Sequence, residues 1–219
     1  MAAQKIIQYC RSTGKTLAYI SGNGGSGKTE LAKTIVKEAE RYGRSNAIDL
    51  DEFVVDTKLR NSASTTWNDP ESGVRTGRYT TAFPASYFLQ NVKAILYNIE
   101  CGNNYYHWPK KAMDSKECRL LSGDAIMTVV DGAGTVFLER DANKSISIFM
   151  KCSKEIEIAR RIQRGRFSNE QSEEQVLKDY GERNSQYRAM IEPHMTKYGL
   201  VLDSLEDYSL GIVRDDYGI

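Results

Sequence analysis

Eight residues, Gly22-Asn23-Gly24-Gly25-Ser26-Gly27-Lys28-Thr29, restrict what this chain can become more than any other part of it. They satisfy GxxxxGK[ST] at every required position, and each residue type has a physical task. Glycines let the backbone curl so that successive N–H groups point inward at phosphate oxygens. Lys28 brings a mobile positive charge to the β- and γ-phosphates of a nucleoside triphosphate. Thr29 offers a hydroxyl to Mg²⁺, and a helix opening there aims its positive end at the anion. The surroundings fit. Leu17-Ala18-Tyr19-Ile20 reads as a buried strand, and Leu31, Ala32, Ile35, Val36 and Ala39 form one face of a helix that Gly43 would stop. Gly14-Lys15-Thr16 also spells GKT, but it lacks the upstream glycine and precedes a strand, so it is set aside.

The same periodicities organise the rest of the chain. A short helix is expected over 4–11 and a second strand over 46–51. Phe88, Val92, Ile95, Leu96 and Ile99 have helical spacing. Segments 125–131 and 145–152 are buried-strand candidates, 156–164 a basic helix, and Val176, Leu177, Tyr180, Tyr187, Met190 and Ile191 a longer helix stopped near Pro193. Leu200-Val201-Leu202 supplies a last strand. Strands alternating with helices predict an α/β fold: three layers, α/β/α, around a mostly parallel sheet. Residues 57–81 are polar and read as one long loop, of the kind that serves as a lid or binding loop. Tyr105-Tyr106-His107-Trp108-Pro109 reads as a small hairpin excursion. A length of 219 residues with 40% hydrophobic residues suits a single domain over 1–219, with its acceptor-side loop and hairpin at 57–120.

Charge and composition exclude several classes. A formal net charge of +1 gives no electrostatic reason to expect nucleic acid or an anionic membrane as partner. No run of about 18 apolar residues is present, and the first residues lack the apolar stretch of a signal peptide. The four cysteines stand far apart with no CxxC, which reads as reduced thiols in a cytoplasmic protein. The expected partner is a small-molecule acceptor, with a homo-oligomer left open.

Phosphoryl transfer requires positioning and charge neutralisation, so carboxylates are expected at the C-terminal ends of strands near the loop. Asp131, after Met127-Thr128-Val129-Val130, is the Walker-B-type acid for Mg²⁺. Asp51, in Asp49-Leu50-Asp51-Glu52-Phe53, is assigned to the acceptor, to hold or deprotonate the attacking hydroxyl. Asp49 is its rival, on the same side of a strand by period-two alternation.

On these blocks the chain resembles the uridine kinase and phosphoribulokinase branch of P-loop kinases, from Leu17 to about Leu202. The blocks are the loop itself, Asp51-Glu52-Phe53, Val130-Asp131-Gly132, and Ala159-Arg160-Arg161-Ile162-Gln163-Arg164-Gly165-Arg166. The resemblance implies ATP (or another nucleoside triphosphate) and Mg²⁺ as cofactors, and a γ-phosphoryl group passed to an alcohol. It makes Asp51 the catalytic base and assigns Mg²⁺ to Asp131, where the family more often has Glu. It also implies an arginine-rich lid over 153–170 that closes on the phosphates, carrying Arg160, Arg161, Arg164 and Arg166. Phe53, Tyr106 and His107 fall where that family holds its acceptor, although an aromatic cluster capping a small core explains the last two equally well.

A nucleoside such as uridine or cytidine is the first expectation for the acceptor. The departures point elsewhere. The family's ribose-gripping aspartate-histidine-proline is absent: Trp67-Asn68-Asp69-Pro70 and Ala82-Phe83-Pro84-Ala85-Ser86 do not reproduce it, and 73–79 is extra material. A sugar phosphate, a pantothenate-like alcohol or a specialised metabolite is the alternative acceptor, and a non-catalytic nucleotide sensor the alternative function. Lys58, Arg60, Arg75 and Arg78 could meet an anionic acceptor, but are weighed here as solubilising charges of the loop. A GTPase switch is disfavoured. Asp131-Gly132-Ala133-Gly134 spells DxxG, yet Asn143-Lys144-Ser145-Ile146 lacks the acid of NKxD.

Overall fold

The computed structural model describes residues 2–109, 118–168 and 172–219, with side chains described for all of these except 166–168. Its centre is a six-stranded sheet in the order β10-β9-β8-β1-β7-β2. The strands are β1 (Leu17–Gly22), β2 (Ser45–Asp49), β7 (Met127–Asp131), β8 (Ser145–Lys151), β9 (Leu200–Ser204) and β10 (Leu210–Asp215). All pairs are parallel except β9 with β10.

Parallel strands joined through helices bury both faces, and the side-chain alternation of β1 shows the split. Ala18 and Ile20 face a core built with α1 (Ala2–Thr13) and α2 (Lys28–Ala39), where Ile6, Ile7, Leu31 and Ile35 meet Ile146 and Ile148. Leu17 and Tyr19 face the other way, onto Val92, Ile95, Leu96 and Ile99 of α4 (Leu89–Glu100). The three-layer architecture and the parallel sheet therefore follow the predicted periodicities.

Two local readings change. Segment 57–81 is not a loop: α3 (Thr57–Ser62) leads into an antiparallel hairpin, β3 (Ser64–Asp69) with β4 (Gly73–Arg78). The hairpin lies along α6 (Glu173–Met190) and is held mainly by polar contacts. Trp67 Nε1 donates to Ser185 Oγ at 2.8 Å, Arg188 Nη2 reaches both Asp69 oxygens at 3.0 and 2.9 Å, and Arg78 pairs with Glu182 and Asp179 at 2.8 Å each. A strand secured this way carries no apolar alternation for a sequence reading to find. The second change is at β2, which ends at Asp49. The Asp49 carboxylate accepts the Asp51 amide at 2.8 Å and turns the chain into a 3-10 segment, Leu50–Phe53. Asp51 therefore stands on that turn rather than on the strand.

The expected second hairpin is present as β5 (Tyr105–His107) with β6 (Arg119–Leu121). The basic helix is α5 (Lys154–Ser168). No helix among the described residues is long and apolar enough to cross a membrane.

Candidate active site

The C-terminal ends of β1, β7 and β2 open into a cavity of about 700 Å³. Across it the register aligns Ile20 of β1 with Asp131 of β7 and Asp131 with Asp49 of β2. The loop leaves β1 at Gly22, with φ 137° and so little room that a Cβ there would overlap the Met150 carbonyl of β8. It is pinned by Asn23, whose Nδ2 donates to Glu157 Oε2 at 2.8 Å and whose Oδ1 accepts the Cys152 amide at 3.1 Å. Ser26 Oγ donates to the Asn23 carbonyl at 2.9 Å. Gly27, at φ 87°, begins α2 without any side-chain cap. The first amides of that helix have no intrahelical partner, so the uncapped start is open to an anion. Gly22, Gly24, Gly25, Gly27, Lys28 and Thr29 all line the cavity.

Lys28 folds back on its own loop, its Nζ donating to the Asn23 carbonyl at 2.6 Å. Burial lowers its pKa, while the Asp51 and Asp131 carboxylates oppose that shift. Thr29 Oγ1 donates to Asp131 Oδ2 at 2.8 Å. Asp131 is buried; that burial raises its pKa, against the Thr29 hydrogen bond and the charge of Lys28. Asp49 is pushed up to about 6, first by burial and then by the charges of Asp131 and Asp51. Asp49, Asp51 and Asp131 line the same wall.

Thr29 and Asp131 suit Mg²⁺ as oxygen donors. Mg²⁺ commonly keeps several waters and takes further ligands from phosphate, so one hydroxyl and one carboxylate are donors of the right kind. The open helix start, Lys28 and this donor pair together fit a magnesium-bound triphosphate.

The lid residues separate. Arg161 and Arg164 line the cavity, and Arg161 pairs with buried Glu157 at 2.6 Å. Arg160 is instead a strut: its Nη1 donates to the Gly25 carbonyl at 2.9 Å and Ser204 Oγ at 2.8 Å, and its guanidinium sits 4.3 Å from the Tyr208 ring centre. The Arg166 side chain lies outside the described residues.

The aromatic acceptor candidates are not in the cavity lining. Phe53 is buried and stacks on His107 at 4.8 Å between ring centres, and His107 Nε2 lies 3.0 Å from Glu52. The two rings clasp the 3-10 turn to the β5–β6 hairpin. Tyr106, on the opposite strand face, is 69% exposed.

Residues that the sequence did not assign to the site also line the cavity: Thr57, Thr80, Thr81, Glu157, Arg183 and Asn184, with Tyr187 of α6, Ile191 just past its end, and the apolar Val54, Ala82 and Ala133. Arg60, weighed above as a solubilising charge, lines it too. For Arg183, Asn184 and Tyr187 the available signal was their i, i+1, i+4 spacing on a helix whose polar residues would otherwise face water.

The sequence profile of the Phosphoribulokinase / Uridine kinase family matches residues 18–210. The chain belongs to that family, and is a P-loop kinase. Among solved structures, D-glycerate 3-kinase from Cryptococcus neoformans var. grubii is similar with a TM-score of 0.65 and 11% identity, covering 98% of this chain and 99% of that one. Phosphoribulokinase from Rhodobacter spheroides is similar with a TM-score of 0.60 and 12% identity, covering 87% of this chain and 70% of that one. At these identities the likeness is one of fold. No curated protein matches the chain significantly by sequence.

Proposed function

We propose that this protein is an ATP- and Mg²⁺-dependent kinase that transfers the γ-phosphoryl group to a hydroxyl of a small, non-nucleoside molecule. One observation carries the reading: the phosphate loop, the Thr29–Asp131 pair and Asp51 on its 3-10 turn all line one cavity. The loop amides and Lys28 take the triphosphate. Lys28 has a neutral carbonyl as its resting partner, a hydrogen bond easily exchanged for a phosphate oxygen. Bound at Thr29 and Asp131, Mg²⁺ would neutralise phosphate charge.

Asp51 is exposed on the 3-10 turn and lines the cavity, where it receives the proton of the acceptor hydroxyl. The hydroxyl oxygen bonds to the γ-phosphorus, the bond from that phosphorus to the bridging oxygen breaks, and ADP leaves with the electron pair. Arg161 and Arg164 border the same space and balance the negative charge of the transferring group. Phe53, Tyr106 and His107, the residues expected to meet a nucleoside, do not line the cavity, whose lining gathers Asp49, Asp51, Arg60, Arg161, Arg164 and Arg183 beside Val54, Ala82, Tyr187 and Ile191.

An ADP-release assay paired with equilibrium ATP binding tests this. Asp51→Asn is expected to lose about 10²–10⁴-fold in kcat with ATP affinity unchanged. An active Asp51→Asn beside an inert Asp49→Asn would transfer the base role to Asp49.

A further inference from the structure

Two arginines of the cavity are left over when the phosphate machinery is accounted for. Arg60, from α3, donates from Nε to the Val55 carbonyl at 3.0 Å, from Nη2 to Thr57 Oγ1 at 3.1 Å, and from Nη1 to the Tyr79 carbonyl at 3.5 Å. These partners are neutral, and among the described residues Arg60 forms no ion pair. Arg183, from α6, has a carboxylate no nearer than Asp179 at 3.9 Å, and that group already binds Arg78 at 2.8 Å and Gln175 at 2.9 Å. Its Nε is buried with no hydrogen-bond partner.

The other cations of the neighbourhood are matched. Arg78 has Glu182 and Asp179, Arg161 has Glu157, and Lys28 faces Asp51 and Asp131. Burial lowers the pKa of both Arg60 and Arg183, and Arg161, Arg78 and Arg60 add like-charge repulsion at Arg183. A guanidinium partly withdrawn from water with weak anionic compensation is unfavourable, and an arginine fork matches carboxylate and phosphate geometry. The cavity thus holds Asp49 and Asp131 at strand ends and Asp51 on the turn after β2, and undercompensated cations from α3 and α6. Arg60 is near enough to Asp51 to feel its charge, so a molecule whose hydroxyl meets Asp51 places its far end among these arginines.

We infer that the acceptor carries, besides its reacting hydroxyl, a carboxylate or phosphate group held by Arg60 and Arg183, with Thr80 and Asn184 also lining the cavity. The inference rests on the kinase reading above and names the class of its second substrate.

Matched acceptors test it with ATP and Mg²⁺: glycerol against glycerate and glycerol 3-phosphate, ribose against ribose 5-phosphate, and uridine as the neutral nucleoside. Turnover is expected on anionic members and at least about 10-fold weaker on their neutral partners. The carboxylate and phosphate arms distinguish the two sources of charge. Arg183→Gln is expected to raise the acceptor KM by about 10–100-fold with the ATP KM unchanged. Arg183→Lys, which keeps the charge but loses the fork, is expected to fall between. Because Arg60 also ties down the start of α3, Arg60→Gln is read alongside its thermal midpoint, and Arg183→Gln carries the decision. Equal use of neutral and anionic partners, turnover of uridine alone, or a KM increase on ATP instead of the acceptor overturns the inference and leaves the kinase standing. Absence of ATP binding, with no turnover on any acceptor, overturns the kinase reading itself.

Discussion

Asp49 holds an acid where its charge is resisted. Its carboxylate caps the 3-10 turn, yet it stands beside Asp51 and Asp131 in a half-buried wall. Its pKa of about 6 in the folded chain exceeds the ordinary 3.8, so between those values the native state binds more protons than the unfolded one. Stability therefore falls as pH rises through that window. Asparagine caps as well as aspartate does without the charge. Asp49→Asn is expected to stabilise the ligand-free protein by about 1–3 kcal/mol near neutral pH, with the gain gone below about pH 4. Urea denaturation at the two pH values measures it, and an equal gain at both would mean that charge is not the cause. At this scale the identity of Lys28, Thr29, Asp51 and Asp131 as candidates was legible in the motif spacing. Whether Asp49 lay beside Asp51 or turned the chain to present it was not, because that depends on one side-chain-to-amide hydrogen bond.

At the scale of elements, the β3–β4 hairpin shows how a polar segment becomes ordered. Asp69 has a fully buried side chain, and the Arg188 guanidinium, bonded to both of its oxygens, holds its pKa well below the ordinary 3.8. A carboxylate depressed in this way stabilises the fold above its unfolded pKa and loses that contribution as pH falls toward its folded value. Arg188→Ala leaves the buried charge with Arg75, at 3.9 Å, as its cationic neighbour, a much weaker pairing. That variant is expected to be clearly destabilised at neutral pH, and the gap from the parent is expected to narrow below about pH 4 as Asp69 takes up a proton. Denaturation midpoints at neutral and acid pH check this. A gap that does not change with pH would point to lost packing of the arginine stem instead. The hairpin matters for the site because it sets α6, and α6 delivers Arg183, Asn184 and Tyr187 to the cavity.

At the scale of the whole molecule, the proposed binding of ATP with Mg²⁺ would link the loop to stability. A ligand that binds the native state alone adds about 2.7 kcal/mol at 100 times its dissociation constant. The thermal midpoint is therefore expected to rise with ATP and Mg²⁺ and to stay nearly flat in Lys28→Ala; an equal rise in that variant would remove Lys28 from the phosphate site. The sequence by itself determined the phosphate loop, the parallel sheet with its two buried faces, and the acids near the ends of β2 and β7. These features are encoded by residues adjacent or a few positions apart, as spacing, alternation and helical period. The tertiary structure alone decided the antiparallel edge strand β10, the Phe53–His107 clasp, the hairpin on α6 and the meeting of Arg60 with Arg183. Those rest on partners far apart in the chain, such as Arg188 and Asp69 at a separation of 119 residues. A polar contact across that distance leaves no periodic trace in either segment, so its charge was legible but its partner was not.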